Sequence, residues 1–395
     1  MNNDICNRNL RLLYIYTILT NMVFTLPVLL PFYRDELGLS FHDFLIGESV
    51  FSVILILFDV PAGYLADIWG RKKTMALGAV VLTFGYFLLA IATGFWSAIL
   101  AQGILGVGIA TISGSNSAFL YDSLLSAGRS HEYRKREGFR FAVQLYSVTA
   151  ACIIGGYLYS INHHFPLILS CVLYICAAII ALLMIEPERH KIISTKHPLR
   201  DIRDTLVYVL HGHREIAAIA LLMIIVFSTT KICMWSIQAY AGELKIPEIY
   251  NGWILGAVMM LGAVSGHFGH HLFKNLRGEN VLYAMIFFLA LIMMVAGLMP
   301  SYFGLAILGF EAFVYGFAMP RAQEAINNLV DSSRRATVLS TANLCMSLGF
   351  IPLSQMLGYT SEKTSLFSGL MIYAVVLIGL AGVAKIITLK RAVSL

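Results

Sequence analysis

Runs of about twenty apolar residues recur from one end of this chain to the other, and that is the length an α-helix needs to cross ~30 Å of hydrocarbon. They fall near residues 12–33, 43–66, 74–94, 96–123, 138–161 and 165–185, then near 216–241, 250–272, 280–299, 302–328, 337–358 and 365–386. These runs take up most of the 395 residues; 58% of the side chains are apolar, 13% are charged, and mean hydropathy is +0.76. A water-soluble enzyme of ordinary composition is excluded, as is a single-pass receptor. A transmembrane β-barrel is excluded too, because its strands are ~10-residue segments of alternating polarity. The pattern predicts an all-α membrane protein of twelve transmembrane helices, six in each half.

The longest polar stretch, from Glu186 to Glu215, separates the two sets and holds Pro187 and Pro198. The expected organisation is a six-helix bundle over 1–186, a linker over 187–215 and a second six-helix bundle over 216–395. Within the linker, Leu199, Ile202, Leu206 and Val209 recur at helical spacing opposite Arg200, Arg203 and Asp204, which predicts an amphipathic helix on the cytoplasmic membrane surface. With the N-terminus placed in the cytoplasm, 23 of the 28 Lys and Arg fall on that side; Arg34, Lys245 and Lys363 lie opposite, and Lys231 and Arg321 sit inside runs. That asymmetry predicts a multi-pass protein of the inner membrane with both termini cytoplasmic. It also accounts for a net charge of +6 without a nucleic-acid partner. The first run is too long for a secretory signal and has no small-residue cleavage site. Cys152, Cys171, Cys176, Cys233 and Cys345 lie in apolar runs and Cys6 in a polar tail, without C-x-x-C spacing, so no disulfide framework is expected.

One polar string stands out where the second run ends: Gly63-Tyr-Leu-Ala-Asp67-Ile-Trp-Gly70-Arg71-Lys72-Lys73. Gly63 suits a close approach of two helices, Gly70 permits a tight turn, and the three cations hold that turn at the cytoplasmic interface. Asp67 can cap a neighbouring helix or pair with an arginine, and such a contact can hold one conformation of a two-state machine closed. The string resembles the signature loop of the major facilitator superfamily. Asp59-Val-Pro61-Ala-Gly63, Tyr121-Asp122-Ser123-Leu124 and Arg335-Ala336-Thr337 are also similar to family strings, most of all to those of bacterial efflux-type members. The resemblance covers the whole chain. It implies two pseudo-symmetric six-helix bundles, a central cavity lined by spans one, four, seven and ten, and a cytoplasmic latch at Asp67. Some positions depart from the family pattern. Gln102 stands four residues before Gly106-Val-Gly108-Ile-Ala110, where many proton-coupled members carry an arginine; the fifth run has Gly155-Gly156 in place of a Gly-Pro pattern; and Gly266 and His270 only faintly repeat Gly63 and Asp67.

Charged groups at membrane depth cost at least ~2.5–3.5 kcal/mol each, so they need a partner or a wet cavity. Lys231 lies about eleven residues, roughly 16 Å, from the outer end of its run, and Glu311 about nine residues, roughly 14 Å, from the outer end of its own. Their similar depth makes them candidates for an ion pair, either a proton-operated switch or a permanent structural contact. Trp235 and Gln238 follow Lys231 at i+4 and i+7, a face suited to an organic solute with anionic or polar groups, or else to plain packing. Asn21, Thr25, Asn116 and Tyr121 are the matching candidates in the first half, with hydrogen bonding between helices as the alternative. Gly106, Ala110, Gly114, Ala118 and Asp122 form a small-residue ridge at four-residue spacing, and Asp59, Gly63 and Asp67 a second row. Arg140, Arg334 and Arg335 are the expected gate partners of these acids, alongside Gly70 and Arg71 of the loop. His267, His270 and His271 have a spacing that could bind a metal but read as interfacial residues, so no metal site is assigned.

No G-x-x-x-x-G-K-[ST] loop, H-E-x-x-H helix or G-x-S-x-G turn occurs, which leaves no nucleotide-driven pump and no intramembrane protease. No channel filter is recognisable either. The expectation is a secondary active transporter, not an enzyme: a cofactor-free monomer that exports a small organic solute, drug-like or a secreted metabolite such as a siderophore, in exchange for protons by alternating access. Proton-coupled uptake of a nutrient or metabolite is the alternative.

Overall fold

A computed structural model describes residues 2–187, 214–268, 278–318 and 335–389, and among them every regular element is helical. The helices are α1 (Asn3–Asn21), α2 (Leu29–Asp35), α3 (Phe41–Trp69), α4 (Arg71–Ala90), α5 (Phe95–Ser113), α6 (Ser115–Ser126), α7 (Tyr133–Ile161) and α8 (Phe165–Leu183), then α9 (Arg214–Glu243), α10 (Asn251–Phe268), α11 (Gly278–Leu298), α12 (Tyr302–Gly309), α13 (Arg335–Lys363) and α14 (Leu366–Leu389). Among the described residues nine helical segments are long and apolar enough to cross a membrane, and Tyr302–Ala318 is a shorter apolar one. The all-helical membrane class is as expected. The surface helix expected at Leu199–Val209, together with His270, His271, Arg321, Arg334 and the Arg335 side chain, lies outside the described residues.

The chain forms two compact units. The first takes Met1–Leu39, Val50–Thr195 and Glu248–Gly256; the second takes Ser40–Ser49, Lys196–Pro247 and Ala257–Leu395. In the first, α4 packs along α5 and α8, and α1 lies against α7 and α8. Small residues set the spacing: a methyl group on Gly108 would stand 2.6 Å from Leu82 Cγ. Buried hydroxyls are spent on backbone, Tyr16 donating to the Met75 carbonyl at 3.0 Å and Tyr174 to that of Thr20 at 3.1 Å. Val80, Phe84 and Phe87, and Ile168, Val172, Ile175 and Ile179, stand exposed at helical spacing while Ala79, Leu82, Ala177 and Ala181 are buried behind them. An apolar face turned outward along a whole helix is what lipid solvates and water does not. In the second unit α9 packs on α13 and α11, and α11 on α14. There the Tyr240 hydroxyl reaches the carbonyls of Ala296 and Met299, at 2.9 and 2.7 Å.

Three of the expected spans are interrupted. Helix α1 ends at Asn21 and α2 begins only at Leu29, Gly114 separates α5 from α6, and the helix that stops at Gly309 resumes after Phe310. The interruption at Gly114 corrects the expected ridge. Gly106 meets the Phe51 carbonyl, 2.9 Å from a built methyl, and Ala110 is buried, but nothing among the described residues comes within 4 Å of a methyl on Gly114. Gly63 likewise lies on an exposed face of α3, and among the described residues nothing comes within 4 Å of a methyl there, so none of them makes a close helix approach to it.

Gly155 is the sharpest contrast, because a methyl there would overlap the Phe24 carbonyl oxygen. Gly155→Ala should destabilise the protein by about 1–3 kcal/mol through overpacking against backbone, whereas Gly114→Ala should stay within about 0.5 kcal/mol. Thermal unfolding of both variants in detergent checks this.

Candidate functional site

In the second unit, α9 presents Lys231, Trp235 and Gln238 along one side of the helix. Lys231 Nζ stands 3.4 Å from Glu48 Oε2 and 4.1 Å from the centre of the Phe350 ring. The ion pair expected with Glu311 is therefore made with Glu48, which reaches α9 because the first turns of α3 belong to this unit. Depth along a helix limits which groups can meet, but not the direction each faces. The two partners differ in access: the Glu48 side chain is 6% exposed and that of Lys231 32%. An ammonium left partly open beside a buried carboxylate is the end of the pair that a solute can touch. The ring of Phe350 adds a cation–π contact on a second side.

Trp235 and Gln238 are both buried. Trp235 packs edge-on against Phe44, ring centres 5.0 Å apart, and its indole N–H has no hydrogen-bond partner among the described residues. Glu311 is also buried, one residue past the interruption at Phe310, and makes no ion pair or hydrogen bond among the described residues. A buried carboxyl so placed is costly to keep charged without a partner.

Among the described residues the first-half candidates make no hydrogen bond or ring contact with one another. The Asn21 amide donates to the Thr17 carbonyl at 2.9 Å, within its own helix. Thr25 is buried. Tyr121 is 43% exposed and meets Tyr133 edge-on, ring centres 5.3 Å apart. Asn116 is buried in the first turn of α6, just past the interruption at Gly114, and its Oδ1 has no partner among the described residues.

The signature loop forms a compact ionic knot in the first unit. Gly70 alone joins α3 to α4, at φ +112°, and a methyl there would sit 3.1 Å from the Glu186 carboxylate. Both demands exclude a side chain. Glu186 accepts the backbone N–H groups of Arg71 and Lys72, at 2.8 and 3.0 Å, so its charge caps the start of α4. Arg71 is turned to Asp122, Nε to Oδ2 at 2.6 Å, with Asp67 more distant at 3.7 Å and two-thirds exposed. The expected gate partner Arg140 pairs elsewhere: it lies 2.6 Å from Glu137, one turn earlier on α7, and donates to Ser117. Asp59 accepts a hydrogen bond from the Ser113 hydroxyl at 3.1 Å. A one-turn i, i+3 pair is the nearest available to a helical arginine and wins over more distant acids. Glu48, Glu137 and Glu186 were missed in the sequence, although Glu48 was visible as a carboxylate inside an apolar run.

Long lipid-facing helices with ion pairs held inside them define a polytopic membrane carrier fold. The chain belongs to the Major Facilitator Superfamily, whose sequence profile matches residues 12–353; it is a transporter and not an enzyme. It is 21% identical over 323 residues, 80% of each chain, to the quinolone resistance protein NorA of Staphylococcus aureus. A shorter stretch of 93 residues is 33% identical to dipeptide and tripeptide permease B of Aliivibrio fischeri, covering 23% of this chain and 18% of the permease. Among solved structures, a variant of the nucleoside transporter NupG superposes with a TM-score of 0.78 at 16% identity, covering 96% of this chain and 99% of that one. A bacterial homolog of the human lysosomal transporter Spinster gives 0.74 at 14% identity, covering 99% of both.

Removing one member of the Lys231–Glu48 pair leaves the other without its counter-charge. Lys231→Gln should cost about 1–3 kcal/mol, more than Glu48→Gln, because the stranded carboxylate is the deeper group. The double variant should recover most of the loss. A double-mutant cycle on thermal unfolding in detergent reads all three.

Proposed function

We propose that this protein is a proton-coupled secondary active transporter of twelve transmembrane helices, built as bundles over 1–186 and 216–395 joined by the 187–215 linker. It exports a small organic solute across the inner membrane by alternating access. The protein works as a monomer with both termini in the cytoplasm. The observation that carries this reading is the Lys231–Glu48 pair, a half-open ammonium against a buried carboxylate. A proton taken by Glu48 cancels that attraction and lets the partly open end of Lys231 turn to a solute; Glu311, buried and without a described partner, is the second group able to carry a proton. Trp235 and Gln238 flank Lys231 as contact residues, and Asn21, Thr25, Asn116 and Tyr121 contribute from the first half. Gly70, Arg71, Asp67 and Asp122 act as a gate with Asp59, Gly63, Arg334 and Arg335, and Arg140, held by Glu137, supports it through Ser117 on α6.

Export rests on the likeness to NorA, whose name ties it to quinolone resistance. A second reading, proton-driven uptake, is supported by the nucleoside and peptide carriers among the structural relatives. Purified protein in proteoliposomes separates them. A fluoroquinolone or other drug-like probe should accumulate only when the lumen is the more acidic side, and a protonophore should abolish the accumulation. Accumulation with the acid outside reverses the direction, and flux indifferent to the gradient removes proton coupling. Glu311→Gln with unaltered pH dependence excludes Glu311 as a proton carrier.

A further inference from the structure

We propose that His42 and Glu362 form a proton-operated clasp that fastens the first turns of α3 to α13. Helix α3 is shared between the units: Ser40–Ser49 belong to the second, and the helix from Val50 onward to the first. A polar ladder inside the second unit holds that short arm. His42 Nδ1 stands 2.8 Å from Glu362 Oε2, and His42 Nε2 stands 3.2 Å from Gln355 Oε1. The orientation of the Gln355 amide is fixed by its other contacts, since its NH2 group donates to the Leu45 carbonyl at 3.1 Å and to Ser49 Oγ at 2.9 Å. A carbonyl can only accept, so the amide oxygen is the atom left to face the ring. Both ring nitrogens of His42 thus face oxygen acceptors.

Neutral imidazole carries one N–H and can satisfy one of the two contacts; the imidazolium satisfies both, one of them as a charge-assisted bond to a carboxylate. The surroundings are complementary to the protonated ring. The helices meet closely here, for a methyl on Gly358 would lie 2.6 Å from His42 Cδ2 and 3.1 Å from its Cα. The ladder runs inward from Gln355 to Ser49, whose hydroxyl lies 3.2 Å from that of the fully buried Ser354. Of the other ionisable groups nearby among the described residues, Tyr359 meets the imidazole edge-on at 6.3 Å, Lys363 sits over the far Tyr359 ring at 5.7 Å, and Asp43 is occupied by the N–H and hydroxyl of Ser40.

The reciprocal segment, Glu248–Gly256 in the first unit, is held differently, by Arg34 against Glu248 at 2.9 Å. The Asp35 hydrogen bond, helped by the Glu248 charge, raises Arg34 further above the usual guanidinium range. That contact does not switch, whereas an imidazole charges between about pH 5 and 8. Acid fastens the His42 clasp; neutral to alkaline conditions loosen it.

The test uses full-length protein in detergent, with the native cysteines replaced and Ser354→Cys as a buried reporter, labelled with a maleimide from pH 5.5 to 8. Dividing each rate by that of the same protein carrying His42→Gln cancels the thiol's own pH dependence. The ratio should rise by about two- to fivefold from acid to alkaline pH, the range expected of a partly exposed ion pair. With Glu362→Gln, a change at a half-exposed side chain, the rise should vanish; this variant also serves as the reference should His42→Gln fail to fold. A ratio flat across pH, or a rise that survives Glu362→Gln, overturns the proposal. Labelling in detergent involves neither transport nor membrane side, so its failure leaves the carrier reading standing.

Discussion

Hydrocarbon offers no partner to a peptide N–H, a carbonyl or a charge, and every level of this structure answers that constraint. The backbone answers by closing its own hydrogen bonds in helices. Polar side chains answer by turning inward onto whatever acceptor is free: Tyr16, Tyr174 and Tyr240 donate to carbonyls of neighbouring segments, and Lys231 lies against Glu48 and the Phe350 ring. The same rule that secures the fold thereby concentrates its chemistry. A buried hydroxyl has one stable arrangement, but a carboxylate beside an ammonium has two, according to whether a proton is present.

The ionic knot at Gly70 shows how one glycine organises several charges. Its positive φ reverses the chain within a single residue, so that α4 starts directly after α3 ends. The missing side chain admits the Glu186 carboxylate to the first N–H groups of α4, and that fixes where Arg71 begins. Arg71 can then reach Asp122 on α6. Glu186 opens the polar stretch that follows the sixth run, and the knot therefore ties the end of the first six runs to their middle.

The all-helical class and the polar loop were legible in the sequence because hydropathy reports directly on solvent. Other features were not. The interruptions at residues 22–28, Gly114 and Phe310 are invisible to hydropathy, since Val23, Phe24, Leu26 and Phe310 are as apolar as the helices around them. Pairing was the harder matter. Lys231 and Glu311 share a depth, yet Glu48 is the group that meets the ammonium, because the direction a side chain faces depends on how whole helices pack. Arg140 was matched to distant acids when Glu137, one turn away, was the nearer choice.

His42 and Glu48 ride on the same rigid helix, six residues or roughly 9 Å apart. Anything that draws the start of α3 away from α13 therefore also draws the carboxylate from Lys231. With the carboxylate withdrawn, the partly exposed ammonium attracts whatever small anion the surrounding solution supplies. Ionic composition thereby becomes part of the energetics of that contact.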